Sequence, residues 1–480
     1  MKTLFLSLLT FLFSMSLMAQ NAENPLLGNW KGELSVSGMK LPLIFHISKI
    51  ENEQDENTDI FSATMDSPAQ GAKDIPVSEV TFLDNNLIVT ISTLGASYEG
   101  KLISKTQIEG TFKQAGQNFT LILNKMEKDS EKEILNRPQE PKAPFDYKIE
   151  EVQFQNKKAK EETILAGTLT LPKNTNQETP VVILISGSGA QDRNQEILGH
   201  KPFLVIADYL TKNGIAVLRY DDRGTAQSTG NFESSTSKDF ATDVEAAIDF
   251  LKTRDDIDTK KIGLIGHSEG GMIAPMVAAN RKKDVAFIVL LAGTGVNGGD
   301  LLVEQQQAIG KLSGMSKEDL AKSKRENEGA FRIVNEITDE KLLHEKMKLY
   351  LTDSVNQDDF PASMTKEEYI NAQLSLITSP WMSYFLRYNP KENLSNTVCP
   401  VLAVNGQKDL QVDAKINLKA IEKALRESGN NKVTVKYFPN LNHLFQTAET
   451  GLPSEYGTLE ETFSPLVLEA MKDWIEQQTN

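Results

Sequence analysis

The stretch Gly266-His-Ser268-Glu-Gly270 has the spacing of a turn that presents a nucleophilic serine. It directly follows the apolar run 262–265, and a helical pattern begins at Met272. A serine whose hydroxyl stands above a sheet occupies a sharp, strained turn between a strand and a helix, and its neighbours two positions away must be small. Both neighbours are glycine here. We therefore predict that Ser268 forms a covalent intermediate during catalysis.

A serine hydroxyl is a weak nucleophile until a base removes its proton and a carboxylate orients that base. The chain has five histidines. Four of them have other predicted places. His46 lies in a β-rich N-terminal region, and His200 precedes a Lys-Pro pair. His267 belongs to the serine turn, and His344 lies on a predicted helix. The fifth, His443, lies in a loop just past the last predicted strand. We predict that His443 is the base; the alternative is an ordinary loop histidine.

The acid should lie between Ser268 and His443 in the chain and follow a core strand. Asp409 satisfies both conditions, because it closes the stretch Val-Leu-Ala-Val-Asn-Gly-Gln-Lys-Asp that begins with the apolar run 401–404. Asp413 is the nearest rival. Its place directly before the predicted helix 414–426 is typical of an N-cap residue, so Asp409 is the predicted acid.

Acyl transfer also needs hydrogen-bond donors for the oxyanion that develops on the substrate. The backbone amide of Glu269, at the start of the helix after the nucleophile, is one predicted donor. The loop after the apolar run 181–185 reads Ser-Gly-Ser-Gly, and its glycines let the backbone turn an amide inward. Ser188 is the favoured second donor and Gly189 the next, while an ordinary tight turn is the alternative. This chemistry requires no metal and no organic cofactor.

The elements that must position these residues belong to an α/β sheet. Apolar runs of the kind buried on both faces of a parallel sheet recur, with helical patterns between most of them, at 181–185, 216–220, 262–265, 287–291, 401–404 and 433–437. Residues 163–171 alternate like a half-exposed strand. The pattern predicts a doubly wound, mostly parallel sheet within a domain spanning residues 145–480.

One long gap interrupts this alternation. Between the runs 287–291 and 401–404 only helix signals occur, which predicts a helical cap at about 296–392 over the C-terminal edge of the sheet. A helical domain packed elsewhere is the alternative. The cap helices are predicted near 301–312, 317–337, 340–351 and 366–377, with prolines marking breaks at Pro361, Pro380 and Pro390. A short aromatic stretch follows, which either lines an apolar pocket or packs internally: Trp381, Tyr384, Phe385 and Tyr388.

The N-terminal part of the chain follows a different period. Residues 25–126 alternate with period two and are interrupted by turn residues, which predicts a small antiparallel β domain of seven or eight short strands, a barrel or a sandwich. Residues 127–144 combine a run of charges with three prolines, a composition typical of a linker.

From about Tyr147 onward the chain resembles bacterial secreted carboxylesterases of the α/β-hydrolase superfamily, which are related to dienelactone hydrolases and serine aminopeptidases. The resemblance is carried by five motifs: Ser186-Gly-Ser-Gly-Ala-Gln-Asp-Arg193, Arg219-Tyr-Asp-Asp-Arg-Gly224, Gly266-His-Ser-Glu-Gly-Gly271, Gly406-Gln-Lys-Asp409 and Asn442-His443. It implies the catalytic triad Ser268, Asp409 and His443, in the chain order of this superfamily. Two positions depart from the usual pattern: Ser186, where many relatives have histidine, and Gln227, where the stretch Gly-x-Gly-x-Ser would be commoner.

The resemblance implies a serine hydrolase that cleaves small-molecule carboxylic esters. A peptidase with the same chemistry is one alternative, in which acidic residues of the cap, such as Glu326, Glu328 or Glu336, bind a peptide amino terminus. The other alternative is a catalytically silent hydrolase scaffold whose β domain binds an envelope glycan or lipid; β domains of this kind precede such hydrolases in some secreted bacterial proteins. The sequence indicates no oligomeric state and no particular natural substrate.

Charge, cysteine content and the N-terminal residues restrict the expected partners, cross-links and location of the protein. The 51 basic and 66 acidic residues leave a formal charge of −15, so nucleic acid is not an expected partner. The single cysteine, Cys399, excludes an intramolecular disulfide. Residues 1–20 combine Lys2 with an apolar stretch and a small residue, Ala19, which predicts a cleaved signal peptide; the stretch is short for a membrane anchor. We therefore expect an exported protein, periplasmic or extracellular, without a stable membrane anchor after cleavage.

Overall fold

The computed structural model describes residues 24–36, 39–50, 60–67, 72–114, 117–126, 136–356 and 365–480. The predicted signal peptide, residues 127–135 of the predicted linker and Pro361 lie outside this part of the chain. Within it, no helix combines the length and the apolar character needed to cross a membrane.

The N-terminal region forms one antiparallel sheet in which each strand pairs mainly with its neighbour in sequence and the last strand pairs with the first. We call this sheet the β domain. Its nine strands are β1 (Gly28–Val36), β2 (Met39–Ile50), β3 (Ile60–Ser67), β4 (Ala72–Pro76), β5 (Glu79–Leu83), β6 (Asn86–Ile91), β7 (Ala96–Ser104), β8 (Gln107–Gln114) and β9 (Gln117–Lys125). The sequence predicts seven or eight, because the short β4 has no alternation of apolar and polar residues to mark it.

The β domain curls around its own core. Phe61 of β3, the neighbour of edge strand β4, meets Phe82 of the other edge strand, β5, edge to face, with ring centroids 6.2 Å apart. The interior is filled by fully buried aromatic side chains, among them Trp30, Phe45 and Tyr98. The sheet is thus rolled around a packed interior, with β4 and β5 as its two edges.

The second sheet has eight strands in the order β10-β11-β13-β12-β14-β15-β16-β17. The pairs β10–β11 and β11–β13 are antiparallel and all others are parallel. The strands are β10 (Lys148–Gln155), β11 (Ile164–Leu171), β12 (Val181–Ile185), β13 (Ala216–Tyr220), β14 (Ile262–His267), β15 (Phe287–Leu291), β16 (Val401–Gly406) and β17 (Val433–Phe438). The central strands are wholly buried, as their continuous apolar runs predict.

Helices cover both faces of this sheet, and separate cores lie on its two sides. One face carries α2 (Ser237–Leu251), α3 (Glu269–Asn280) and α10 (Ala414–Glu427), and the other carries α1 (Pro202–Lys212) and α11 (Pro465–Thr479). This is the α/β-hydrolase fold, preceded by an antiparallel β domain, so the predicted fold class is confirmed.

Three strands differ from the sequence prediction. β17, predicted to be buried on both faces, is an edge strand of the sheet, and Val433 is its one buried residue. β11 is buried along nearly its whole length and is not half-exposed. Its threonines are accommodated because their hydroxyls are hydrogen-bonded: Thr168 donates to Glu151 at 2.8 Å, and Thr170 bonds Thr211 at 2.7 Å. The polar strand β10, which lies at the sheet edge beside β11, carries no apolar run and is absent from the prediction.

Within the described residues, six helices connect β15 to β16. They are α4 (Gly298–Leu312), α5 (Lys317–Glu336), α6 (Glu340–Ser354), α7 (Lys366–Ile377), α8 (Pro380–Arg387) and α9 (Pro390–Leu394), and we call them the cap. The last two, α8 and α9, are not in the sequence prediction, which treats Pro380 and Pro390 as breaks. Both prolines occupy the first turn of a helix, where the missing N–H has no intrahelical partner to lose.

The segment that precedes β10 is anchored to the hydrolase part of the chain. The Arg137 guanidinium donates to the carbonyl oxygens of Gly457 and Leu459, at 2.8 and 2.6 Å. The side-chain amide of Gln139 donates to the Phe463 carbonyl at 2.6 Å and accepts from the Phe463 amide at 3.0 Å. The described residues from 136 onward therefore belong structurally to the α/β-hydrolase domain and do not form a free linker.

This anchoring predicts a difference between two fragments. A fragment of residues 144–480 lacks Arg137 and Gln139, whereas a fragment of residues 136–480 keeps them. We expect the shorter fragment to lose roughly 2 kcal/mol or more of unfolding free energy relative to the longer one, because hydrogen bonds from charged donors contribute about 1.5–3 kcal/mol each. Urea denaturation followed by circular dichroism measures this difference, and equal midpoints for the two fragments would contradict it.

Candidate active site

Ser268 lies at the turn between β14 and α3. Its backbone has φ +54° and ψ −113°, a strained conformation for a residue with a side chain. A Cβ atom at Gly266 would overlap the carbonyl of Gly270, and one at Gly270 would overlap the carbonyl of Ile185. Both glycines are thus required by the close approach of strand and helix. The Ser268 side chain opens into a cavity of about 260 Å³.

The structure brings Asp409 and His443 together. His443 Nδ1 lies 2.8 Å from Asp409 Oδ2, and both side chains are buried. The other carboxylate oxygen accepts the backbone amides of Gln411 and Val412, at 2.8 and 2.9 Å. A carboxylate held in this way accepts the Nδ1 proton of the imidazole and leaves Nε2 as the basic nitrogen. His443 and Ser268 line the same cavity.

The remaining candidates have other partners. Asp413 caps α10 by accepting the Ile416 amide at 2.7 Å, as its sequence position predicts. Among the histidines, His46 bonds Asp66 in the β domain, His200 is buried against Thr462, and His344 is exposed on α6. None of these three lines the cavity of Ser268.

His267 has a structural role that its place in the serine-turn motif does not reveal. Its Nε2 lies 2.9 Å from the backbone oxygen of His443, so Nε2 carries the proton and donates it. Its Nδ1 then accepts from Gln195 Nε2 at 2.9 Å, and Gln195 Oε1 accepts the Gly187 amide at 2.9 Å. Burial first, and the neighbouring His443 second, lower the pKa of His267 to about 3. A neutral His267 therefore links the loop that carries His443 to the loop after β12 through hydrogen bonds.

The predicted oxyanion donors are only partly brought together. Ser188 and Glu269 line the cavity beside Ser268, and Glu269 is the first residue of α3, where backbone amides lack intrahelical partners. Gly189 does not line this cavity. The chain turns at Gly189 with φ +97°, and this residue instead borders a separate cavity of about 10 Å³ behind the loop.

Asp222, which belongs to the motif Arg219–Gly224, holds the loop after β12 through contacts that the sequence does not reveal. Its Oδ1 accepts from the Ser186 hydroxyl at 2.7 Å and its Oδ2 from the Gln191 amide at 3.0 Å, so it fixes both ends of the loop. Ser186, the departure from the family pattern, thus serves as a loop anchor. In the same motif, Arg223 Nε lies 2.7 Å from Oδ2 of buried Asp243.

Burial raises the pKa of Asp222 to about 8. Because this folded-state pKa lies above the ordinary value of 3.8, Asp222 adds stability that is complete below about pH 4 and is lost as the pH rises toward 8. Asp222→Asn keeps the shape without titrating. We therefore expect the unfolding free energy of Asp222→Asn, relative to wild type, to increase between about pH 5 and about pH 8, by up to about 1.4 kcal/mol per pH unit. Urea denaturation across this range measures it; parallel stability curves would contradict the assignment.

The cap supplies the apolar wall of the cavity. Leu301 and Leu302 of α4 and Trp381 and Phe385 of α8 line it, with the last two rings stacked at 5.2 Å. The other two residues of the aromatic stretch, Tyr384 and Tyr388, line a different cavity. The stretch is therefore divided between the two sides of α8.

The wall beside Ser268 also contains one buried acidic side chain, that of Glu269. Its Oε1 accepts from the Ser237 hydroxyl at 2.6 Å and from Trp381 Nε1 at 2.9 Å. Burial raises the pKa of Glu269, and the hydrogen bonds from Ser237 and Trp381 act in the opposite direction.

Known esterases and a peptidase are similar to this chain. The esterase EstD of Thermotoga maritima is 28% identical over 301 residues, which are 61% of this chain and 61% of EstD, less than two thirds of that relative. Est1E from Butyrivibrio proteoclasticus is 16% identical, with a TM-score of 0.39 over 68% of this chain and 98% of that one. Proline iminopeptidase of Mycobacterium smegmatis is 14% identical, with a TM-score of 0.40 over 69% of this chain and 99% of that one.

The chain also matches the description of a known family. The pattern of the X-Pro dipeptidyl-peptidase (S15) family matches residues 161–435, more than half of the 480 residues. The matched part contains the loop after β12, Ser268, the cap and Asp409, and it ends before His443. With the eight-stranded sheet and the serine turn described above, this match establishes that the chain has the α/β-hydrolase fold and belongs to the X-Pro dipeptidyl-peptidase (S15) family.

Proposed function

We propose that this protein hydrolyses carboxylic esters through an acyl-enzyme formed on Ser268. The observation that carries the proposal is the buried Asp409–His443 pair, with Nδ1 and Oδ2 2.8 Å apart, opening onto the same cavity as the strained Ser268. A nucleophile and a base on one cavity, with an acid bonded to the base, are the parts that acyl transfer requires.

The reaction follows from these positions. Ser268 Oγ attacks the ester carbonyl carbon while His443 Nε2 takes its proton, and the backbone amides of Glu269 and Ser188 receive the oxyanion. The imidazolium then protonates the leaving alkoxide, and the alcohol departs. Water attacks the acyl-enzyme with His443 again as base, and the carboxylic acid is released. Asp409 keeps the imidazole in the required tautomer throughout.

The acidic groups around the cavity favour an ester substrate over a peptide whose amino terminus is bound by a carboxylate. Glu269 is the acidic residue of the cavity wall, and the Ser237 hydroxyl and Trp381 Nε1 already donate to its carboxyl. The three cap glutamates considered for peptide binding lie on α5 and do not line the cavity: Glu326, Glu328 and Glu336. A peptidase that captures a free amino terminus needs a carboxylate available to it, so the ester is the proposed substrate and the peptide the alternative.

The cavity also supports a restriction on chain length. A volume of about 260 Å³ is smaller than the roughly 300–1,000 Å³ of sites for drug-sized ligands. We therefore propose that the acyl group is short and apolar, in contact with Leu301, Trp381 and Phe385.

The export predicted from residues 1–20 would place this activity in the periplasm or outside the cell. Cell fractionation with an antibody tests the predicted location separately from the activity.

Two measurements test the proposed function. A fluorescent organophosphonate should label wild-type protein at Ser268, located by peptide mass spectrometry, and leave Ser268→Ala unlabelled. A silent scaffold would take up no label. Rates on p-nitrophenyl esters of increasing acyl length, beside aminoacyl and dipeptidyl p-nitroanilides, then separate the enzyme classes: we expect the highest kcat/KM on short esters, and higher values on the anilides would establish the peptidase instead.

The β domain is not expected to take part in the chemistry, because the described residues that line the cavity all lie at position 187 or beyond. The fragment 136–480 should therefore hydrolyse small esters with a kcat within about threefold of the full chain. Steady-state kinetics, after circular dichroism has shown that the fragment is folded, measure this. A folded but inactive fragment would assign the β domain to the active site.

A further inference from the structure

Gln195, a residue outside the five sequence motifs, lies in the chain that leaves the loop after β12. Its backbone has φ +50°, which is uncommon for a residue with a side chain, and its amide donates to the Asp192 carbonyl at 2.8 Å. The residue is 4% exposed and lines the cavity of Ser268. Backbone strain of this kind persists where the surrounding contacts hold it, and it is concentrated at functional sites.

The side chain of Gln195 connects two parts of the active site. Its Oε1 accepts the Gly187 amide at 2.9 Å, and its Nε2 donates to His267 Nδ1 at 2.9 Å. The other ring nitrogen of His267, Nε2, donates to the backbone oxygen of His443 at 2.9 Å. Three hydrogen bonds in series therefore join the loop after β12 to the loop that carries the base. We call the pair Gln195 and His267 the bridge.

The first of these bonds bears on the oxyanion donors. The Gly187 amide is engaged by Gln195 Oε1, so the next amide along the loop, that of Ser188, is the one left for substrate. The loop also lies close to the nucleophile, because a Cβ atom at Gly187 would be 3.4 Å from Ser268 Cβ and from His267 Nδ1. The Ser188 amide belongs to the rigid peptide unit that follows Gly187, so a rotation of the Gly187 backbone turns this amide toward or away from Ser268.

The bridge is built to hold its partners closely. Both of its side chains are buried, with Gln195 4% and His267 5% exposed, so a broken hydrogen bond is not replaced by one to bulk water. His267 directly precedes Ser268 in the chain and contacts the backbone of His443. The bridge therefore touches the segments of the nucleophile, the base and the proposed oxyanion donor.

We propose that Gln195 is a positioning residue which, through His267, sets the oxyanion loop relative to the nucleophile and the base. The proposal rests on the proposed function, since it assigns the Ser188 amide to the oxyanion. The polar atoms of the Gln195 side chain already have protein partners, so its part in catalysis is to hold Gly187 and not to bind substrate.

Gln195→Met tests the bridge, because methionine has a similar length and neither donates nor accepts these two hydrogen bonds. We expect kcat on a short p-nitrophenyl ester to fall by about 10- to 100-fold with KM within about twofold of wild type, since the oxyanion contact is made in the transition state. A short alkyl trifluoromethyl ketone, whose adduct with Ser268 carries an oxyanion, should inhibit more weakly by a similar factor. Unchanged kcat and ketone inhibition, or a loss confined to KM, would overturn the proposal.

His267→Gln tests whether Gln195 acts through His267. Its side-chain NH₂ group reaches the position of the ring Nε2, while the acceptor for Gln195 is lost. We expect kcat and ketone inhibition to weaken as in Gln195→Met, and Gln195→Met made in this background should change kcat by less than about threefold. An undiminished effect in this background would overturn the coupling. If Gln195→Met does not fold, the kcat, KM and ketone measurements on His267→Gln decide.

Gln139→Met is the matched control. Gln139 also bonds on both sides, donating to the Phe463 carbonyl at 2.6 Å and accepting the Phe463 amide at 3.0 Å, but it does not line the cavity. This variant should lower the thermal midpoint and keep kcat and ketone inhibition within about twofold of wild type. An equal loss of kcat in Gln139→Met would show that the effect at Gln195 is a general loss of packing.

Failure of the proposed function has a different signature. Wild-type protein that neither takes up the phosphonate nor cleaves any ester would refute the esterase proposal before a variant is measured. An active, labelled wild type whose Gln195→Met variant keeps its kcat and its ketone inhibition would refute the bridge and leave the esterase proposal intact.

Discussion

Ser268→Ala is expected to lower kcat/KM for ester hydrolysis by about 10⁴-fold or more, because without the hydroxyl no acyl-enzyme forms and only binding and the oxyanion donors remain. The thermal midpoint should stay within about 2 °C of wild type, since the side chain is replaced without a change of backbone. Steady-state kinetics with a short p-nitrophenyl ester and a thermal melt measure both quantities. An alanine variant that keeps more than a few per cent of the wild-type rate would show that Ser268 is not the nucleophile.

Ser268→Gly is a matched variant that separates chemistry from strain. It removes the same hydroxyl, so its activity should be as low as that of Ser268→Ala. Glycine, however, adopts φ +54° without the steric cost that a Cβ atom carries. We therefore expect the glycine variant to melt at or above the midpoint of the alanine variant. A clearly lower midpoint would mean that the turn is not strained.

Asp409→Asn is expected to lower kcat by about 10³- to 10⁴-fold with little loss of stability. The reason is specific to this site. Asp409 Oδ1 accepts the amides of Gln411 and Val412, so an asparagine keeps its oxygen there and turns its NH₂ group toward His443. The imidazole must then accept at Nδ1 and carry its proton on Nε2, where it cannot take the proton of Ser268.

Asp413→Ala is the control for this prediction. Asp413 is exposed and caps α10 through the Ile416 amide, so its loss should cost about 1 kcal/mol of unfolding free energy and change kcat by less than about twofold. Kinetics and urea denaturation of both variants give the comparison. The reverse pattern, a slow Asp413→Ala and a destabilised but active Asp409→Asn, would exchange the two roles.

The sequence alone predicts the fold class because its signals are local. A buried parallel strand appears in the sequence as a continuous apolar run. The serine turn needs its glycines, strand and helix within about a dozen consecutive residues. The same signals fail at the edges of the fold: polar β10 and short β4 have no apolar pattern, and the proline that reads as a break begins α8.

The candidate triad is predicted for a related reason. Ser268 has its own local signature, and chain order and position after a strand then leave one histidine and favour one of two nearby aspartates. The structure places Asp409 against His443 and Asp413 on a helix end, which agrees with that choice. The oxyanion loop is less determined by sequence, because a run of small residues does not specify which amide turns inward; here Ser188 reaches the cavity and Gly189 does not.

Contacts between distant segments are decided only by the tertiary structure. Gln195 and His267 are 72 positions apart, Glu269 and Trp381 112, and Arg137 and Leu459 322. Nothing in the sequence around these side chains identifies the partner, which is set by how helices and loops pack on the sheet. Sequence therefore determined the predicted catalytic residues and the sheet that presents them, while packing decided how Asp222, Glu269 and His267 hold the loops around Ser268, because a hydrogen bond depends on distance in space and not along the chain.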